Sequence, residues 1–113
     1  RINVFSGYEG WLLDDVIHGA NSLVSVSGLA APKAALAFYN ACLRKDLSKA
    51  LPLNHAFLDM GVDLTENNEA AWLKTAAETG GFKAGPPRSP YAPIGEEARE
   101  RLKRAAETVN SLL

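Results

Sequence analysis

The sequence predicts an α/β chain: one parallel βαβ unit, then helices. Three observations carry that prediction. Ile2–Ser6 and Ser22–Val26 are short apolar runs with the residue types of strands. The stretch between them has helical spacing, so the two strands meet through a crossover and not a hairpin. From Pro32 onward apolar residues recur at helical intervals, interrupted by Gly and Pro, and no third strand is visible.

Ile2–Ser6 reads as a buried strand, broken by Gly7 and Gly10. Trp11–His18 follows as a helix, with Leu12, Leu13, Val16 and Ile17 spaced to pack on a sheet. Gly19 stands where a C′ glycine relieves the left-handed terminal residue. Ser22–Val26 is the second strand. A parallel sheet needs both faces covered, which two strands at one end of this chain cannot provide. Together with the start at Arg1 without a Met, this gives the expectation that the polypeptide is the tail of a larger α/β structure.

Ser27–Ala31 reads as a small, flexible loop. Pro32 suits the first turn of a helix running to about Arg44, with Leu36, Tyr39 and Leu43 as its buried stripe and Phe38 and Cys42 beside it. Asp46 is a good N-cap for Leu47–Met60, whose apolar side is Leu47, Ala50, Leu51, Phe57 and Leu58. Pro52 predicts a kink or break near Leu51, and Gly61 an end, with Val62–Glu66 as a connector. Asn67 or Asn68 caps Glu69–Thr79, which carries Trp72, Leu73 and Ala76 and stops at Gly80 and Gly81. Phe82–Gly95 contains Pro86, Pro87, Pro90 and Pro93, which exclude helix and central strand; it reads as a strap lying on something else. Glu96–Leu113 is the last helix. Its stripe is Leu102, Ala105, Ala106, Val109, Leu112 and Leu113, with Glu97–Arg101 and Glu100–Arg104 as i,i+4 pairs.

Composition narrows the function. The chain has 113 residues, 47% of them hydrophobic, enough for a core in one domain. A net charge of −1 without clustered Lys and Arg argues against a nucleic-acid footprint. No apolar run approaches the roughly 18 residues of a membrane span, so no membrane partner is expected. The single Cys42 precludes an intrachain disulfide and fits a reducing, cytoplasmic setting. One Cys and two His offer no metal-ligand spacing, and no metal or cofactor is expected. There is no G-x-G-x-x-G and no P-loop.

Four pieces together resemble a known family. Val4-Phe5-Ser6-Gly7-Tyr8-Glu9, then His18-Gly19-Ala20 with Ser22-Leu23-Val24-Ser25-Val26, is similar to the end of the barrel in the dihydrodipicolinate synthase / N-acetylneuraminate lyase family. Lys45-Asp46-Leu47-Ser48-Lys49-Ala50 resembles its Gly-Asp-Leu-x-x-Ala helix junction, and Gly85-Pro86-Pro87-Arg88-Ser89-Pro90 its Val-Arg-x-Pro strap. The resemblance implies the last βαβ portion of a (β/α)8 TIM barrel followed by a helical C-terminal domain. Residues 1–31 would hold strands seven and eight with their intervening helix, and residues 32–113 the last barrel helix and the helical domain. A barrel alone takes about 250 residues, so its preceding part would be the missing sheet neighbour.

The family's chemistry is Schiff-base catalysis on pyruvate or a related 2-oxo acid. Its lysine and proton-shuttling tyrosine would lie before Arg1, and Lys33, Lys45, Lys49, Lys74, Lys83 and Lys103 are no substitutes. No catalytic residue is therefore expected within the chain. The resemblance implies three substrate-binding positions: Gly7, whose missing side chain lets substrate approach its backbone; Glu9, where the neuraminate lyase branch has an Asp binding substrate hydroxyls; and Val24, an apolar strand-eight position. Gly10 stands in place of the Glu that follows this Asp, and Val26 near a serine contact of that branch. Gly7-Tyr8-Glu9 also differs from the Gly-Asp-Asp of the diaminopimelate branch. Homo-oligomers are common in the family.

Plainer readings stand beside these. Gly7 and Gly10 can simply turn the chain. Glu9 can be a solvated loop acid or a helix N-terminal charge. Ser25 and Ser27 can line a pocket mouth or merely follow a strand. His18, His55 and Cys42 read as structural, and Arg88 as packing. The alternative to a lyase segment is a non-catalytic helical assembly module; a small nucleotide-binding protein lacks its glycine fingerprint.

Overall fold

The computed structural model describes residues 1–66 and 68–113. Its elements are β1 (Phe5–Ser6), α1 (Glu9–Ile17), β2 (Ser22–Leu23), a 3-10 turn (Ser27–Leu29), α2 (Pro32–Leu43), α3 (Leu47–Glu66), α4 (Glu69–Thr79) and α5 (Glu96–Ser111). The chain is thus rich in helix with one small parallel sheet, in which Phe5 faces Ser22 and Ser6 faces Leu23.

Both strands are two residues long, shorter than the expected Ile2–Ser6 and Ser22–Val26. Two bonds extend the ladder: Asn21 N–H to Val4 O (3.1 Å) and Val24 N–H to Ser6 O (2.8 Å). With no third strand among the described residues, Ile2, Val4 and Phe5 stay exposed, Ile2 at 82% where a buried strand was expected, while Ser6 is buried and donates to Asp15 Oδ2. α1 begins at Glu9, two residues before the expected Trp11, and takes in Gly10. Ser27–Ala31 is not a flexible loop. It holds the 3-10 turn, and Ser27, Gly28, Ala30 and Ala31 are buried under α2 and α4.

The core lies among the helices. Phe38 and Phe57 stack with ring centroids 5.6 Å apart. Trp72, Met60, Leu102, Val109 and Leu12 are buried around them. α2 turns Ala34, Ala35, Phe38, Ala41 and Cys42 inward, whereas the expected stripe residues Leu36 and Leu43 are exposed. The reason is close approach: Ala34, Ala35 and Ala41 let α2 lie close on its neighbours around the buried Phe38, leaving Leu36 and Leu43 outside. α3 likewise buries Ala50, Leu53, Ala56, Phe57 and Met60, while Leu47, Leu51 and Leu58 stay exposed.

α3 continues through both Pro52 and Gly61, so neither the break near Leu51 nor the connector at Val62–Glu66 forms. Pro52 lies in the second turn with Ser48 four residues before it, and both are exposed, so water can satisfy the Ser48 carbonyl that proline leaves without a donor. Gly61 makes room for the Tyr8 phenol, which a Cβ there would overlap. Near its end, Asp63 accepts a two-pronged contact from Arg101 of α5 at 2.8–3.2 Å, and Arg101 also reaches Glu97 at 2.9 Å.

Three helices end in the same motif. After α1, Gly19 adopts φ 106 while Ala20 N–H bonds Asp15 O at 2.9 Å. After α4, Gly81 adopts φ 95 while Phe82 N–H bonds Ala77 O at 2.8 Å. After α2 the left-handed position is filled by Lys45 at φ 57, with Asp46 N–H on Ala41 O at 3.0 Å. Asp46 then opens α3: its carboxylate accepts from Ser48 Oγ at 2.7 Å, and this bond, with the backbone and side-chain contacts of Lys49, holds it below the usual carboxylate range. Asn68 caps α4 through Ala71 N–H at 3.3 Å; Asn67 lies outside the described residues. The strap runs over α4 and the start of α5, held by Lys74 Nζ on Ala84 O at 3.0 Å and by buried Ile94. α5 closes the core with Ala98, Leu102, Ala106 and Val109; Leu112 and Leu113 fall past its end and are exposed. Among the described residues, no helix is long and apolar enough to cross a membrane.

Candidate functional site

Because β1 and β2 are parallel, their C-terminal ends lie at the same edge of the sheet. Gly7 follows one end and Val24 the other. The bond from Val24 N–H to Ser6 O sets them side by side, and both are exposed. Gly7 has no positive φ, and a Cβ there would meet nothing within 4 Å. Neither backbone strain nor crowding within the chain therefore requires glycine at that position.

Gly10 is different. A Cβ on it would strike the Tyr8 ring and Leu58, and its carbonyl accepts from Asn54 Nδ2 at 3.1 Å. Gly10 lets α1 lie directly on α3. Tyr8 crosses the same junction: its hydroxyl donates to Phe57 O at 3.2 Å, and its ring meets Trp11 edge-on with centroids 5.6 Å apart. Burial, and then the Glu9 charge, push the Tyr8 phenol above its usual range.

Glu9 has no exposed surface. Its Oε1 accepts from Ser25 Oγ and from Gly28 N–H at 3.0 Å. Its Oε2 accepts from Val26 N–H at 3.3 Å and Ser27 N–H at 3.0 Å. The expectation of a solvated loop acid does not hold, and the carboxylate that was to meet substrate hydroxyls is occupied by four donors of its own chain. Those donors compensate for removing the charge from water.

Two open grooves border this edge. One of about 420 Å³ is lined by Gly7, Tyr8, Trp11, Val26, Leu58 and Val62 among others. A larger one of about 540 Å³ runs along the sheet and α2, past Phe5, Leu23, Leu29, Leu36 and Tyr39. The remaining candidates stay apart from both. His18 Nδ1 contacts Asp14 O at 2.9 Å in solvent, His55 is exposed, Arg88 is exposed on the strap, and Cys42 is buried. The six lysines lie on helices, at the α2–α3 junction or on the strap, and none lines either groove. Among the described residues, no group of three or more His, Cys, Asp or Glu could hold a metal ion.

Sequence reasoning singled out Gly7, Glu9 and Val24, and the structure brings all three to one edge. It missed Tyr8 as the link to α3 and the Glu9–Ser25 pairing. The run Ser25-Val26-Ser27-Gly28 was the available signal, since small residues leave their amides open to an acceptor.

The sequence matches the Dihydrodipicolinate synthetase family over residues 1–109. It is 32% identical over 105 residues to a 4-hydroxy-tetrahydrodipicolinate synthase of Thermomicrobium roseum, covering 93% of this chain and 35% of that protein. It is 28% identical over 109 residues to the synthase of Methanothrix thermoacetophila, covering 96% and 37%. The chain thus spans little more than a third of the length of these curated relatives. Among solved structures, a dihydrodipicolinate synthase superposes with a TM-score of 0.80 at 24% identity, over 99% of this chain and 38% of that one. A KD(P)GA from T. tenax superposes with a TM-score of 0.77 at 21% identity, over 100% and 40%. These two likenesses show a shared fold.

Proposed function

Since the chain belongs to the dihydrodipicolinate synthetase family, we propose that it is the C-terminal segment of a Schiff-base lyase or aldolase acting on 2-oxo acids such as pyruvate. In this reading residues 1–31 supply strands seven and eight of a (β/α)8 barrel, and residues 32–113 its last helix and a helical domain. The partner is the preceding part of the barrel, which would occupy the open groove along Phe5, Leu23 and Leu36. Homo-oligomerisation is part of the same proposal.

The chemistry would begin when a lysine amine of the preceding part condenses with the 2-oxo group and expels water. The iminium then takes up the electron pair of the breaking carbon–carbon bond, or supplies it through the enamine when the bond forms. This chain contributes no catalytic residue to that step. Its contribution is the pocket rim, where Gly7 and Val24 stand past the ends of two parallel strands, the position at which such barrels place their sites.

The observation that carries the reading is Gly7 itself. Nothing among the described residues demands glycine there, which leaves its open backbone for a ligand. In the complete protein, Gly7→Val is expected to abolish lyase activity while leaving the melting temperature nearly unchanged; wild-type activity in that variant would sink the assignment. The first experiment is borohydride trapping with pyruvate, read by intact mass. A pyruvate-sized adduct on the protein that contains this chain supports the lyase. A protein that folds and traps nothing leaves the helical assembly module as the better reading.

A further inference from the structure

We infer that Glu9 is a positioning residue: its buried carboxylate fixes the path of the chain leaving β2, and with it the spacing of Val24 from Gly7. The inference rests on the proposed pocket and adds to it a residue that acts without touching substrate.

The geometry is specific. Glu9 is the first residue of α1, two positions after Gly7, so its backbone is held by the strand-to-helix turn following β1. Its four donors all come from Ser25–Gly28, the stretch that follows Val24. The carboxylate thus ties the end of one strand to the end of the next, across 16 to 19 residues of sequence. At this edge the ladder itself adds the bond from Val24 N–H to Ser6 O at 2.8 Å.

A cap that merely ended the 3-10 turn would come from a neighbouring residue, as Asn68 does for α4 from three positions away. Glu9 instead reaches across the sheet edge. Only a carboxylate suits four converging donors. Glutamine would turn an amide NH2 toward two of them and lose those bonds. Aspartate is one methylene shorter than the span.

The test uses the complete protein, with steady-state kinetics on a 2-oxo acid substrate, borohydride trapping with pyruvate and thermal melting. Glu9→Gln is expected to trap pyruvate at saturation but to raise KM about tenfold or more, with a smaller change in kcat. Ser25→Ala removes one donor of four and is expected to raise KM about two- to threefold; Ser25→Thr, which keeps the hydroxyl, should restore it. Wild-type KM and kcat in Glu9→Gln, at whatever melting temperature, would reduce Glu9 to a structural buried acid and overturn the inference. Should Glu9→Gln fail to fold, the serine pair decides, and an unchanged KM in Ser25→Ala overturns it. If the wild-type protein itself traps no pyruvate, the pocket reading fails and the inference falls with it; adducts on wild type with unaltered variants would mean that only the inference has failed.

Discussion

Phe57 and Phe5 carry the same side chain into opposite surroundings. Phe57 has no exposed surface and stacks on Phe38 at the centre of the helices. Phe5 is 57% exposed on a two-residue strand, beside a groove that also exposes Leu36. The helical half buries its own apolar face, whereas the βαβ unit presents one, at Ile2, Phe5 and Val24, that none of the described residues covers. In α2 a single helix does both, turning alanines and Phe38 inward and Leu36 outward. Two interfaces on one helix are what a segment needs if it closes one core and borders another.

The comparison breaks most readily at the two phenylalanines. In this chain Phe57→Ala is expected to lower stability by about 3–5 kcal/mol, and Phe5→Ala by less than about 1, in urea unfolding. Equal losses would mean that the two regions do not differ as described. A smaller effect is expected at Gly80, where a Cβ would overlap the Leu29 backbone carbonyl. Gly80→Ala should cost about 1–3 kcal/mol, because backbone and not a flexible side chain must yield. Lys45→Gly should go the other way, by about 1 kcal/mol, since it removes a non-glycine residue from φ 57. A destabilised glycine variant would show that the lysine side chain holds the junction.

The mildest test concerns Cys42. Burial pushes its thiol from 9.0 up to about 11. The folded chain keeps a proton that the unfolded chain releases, so this contribution is intact below pH 9 and fades as pH rises toward 11. At pH 8 a thiol reagent should react only as fast as the helices open; immediate reaction would place Cys42 outside the core.

The chain was legible where local chemistry decides. Gly19 and Gly81 end helices as their types require, Asn68 caps α4, and Glu97–Arg101 pair one turn apart. It was misread where packing decides. The large apolar residues Leu36, Leu43 and Leu51 looked like the core, but the inner faces set Phe38, Phe57 and Met60 among alanines, whose small size permits close helix contact. Pro52 suggested a kink or a break and Gly61 an end, yet α3 runs through both because one is solvent-facing and the other seats Tyr8. At the candidate site the residue positions were readable and their roles were not. Glu9 as an acid near a strand end says nothing of the Ser25 hydroxyl and the Val26–Gly28 amides, which only the fold brings to it.

The contrast between the two regions can be measured directly by residue-level hydrogen exchange on this chain and on the complete protein. Fast exchange is expected at the Asn21 and Val24 amides of the chain alone, slowing by about a hundredfold or more in the complete protein, with α3 amides protected in both. Equal protection of the β1–β2 ladder and α3 in the chain alone would contradict it.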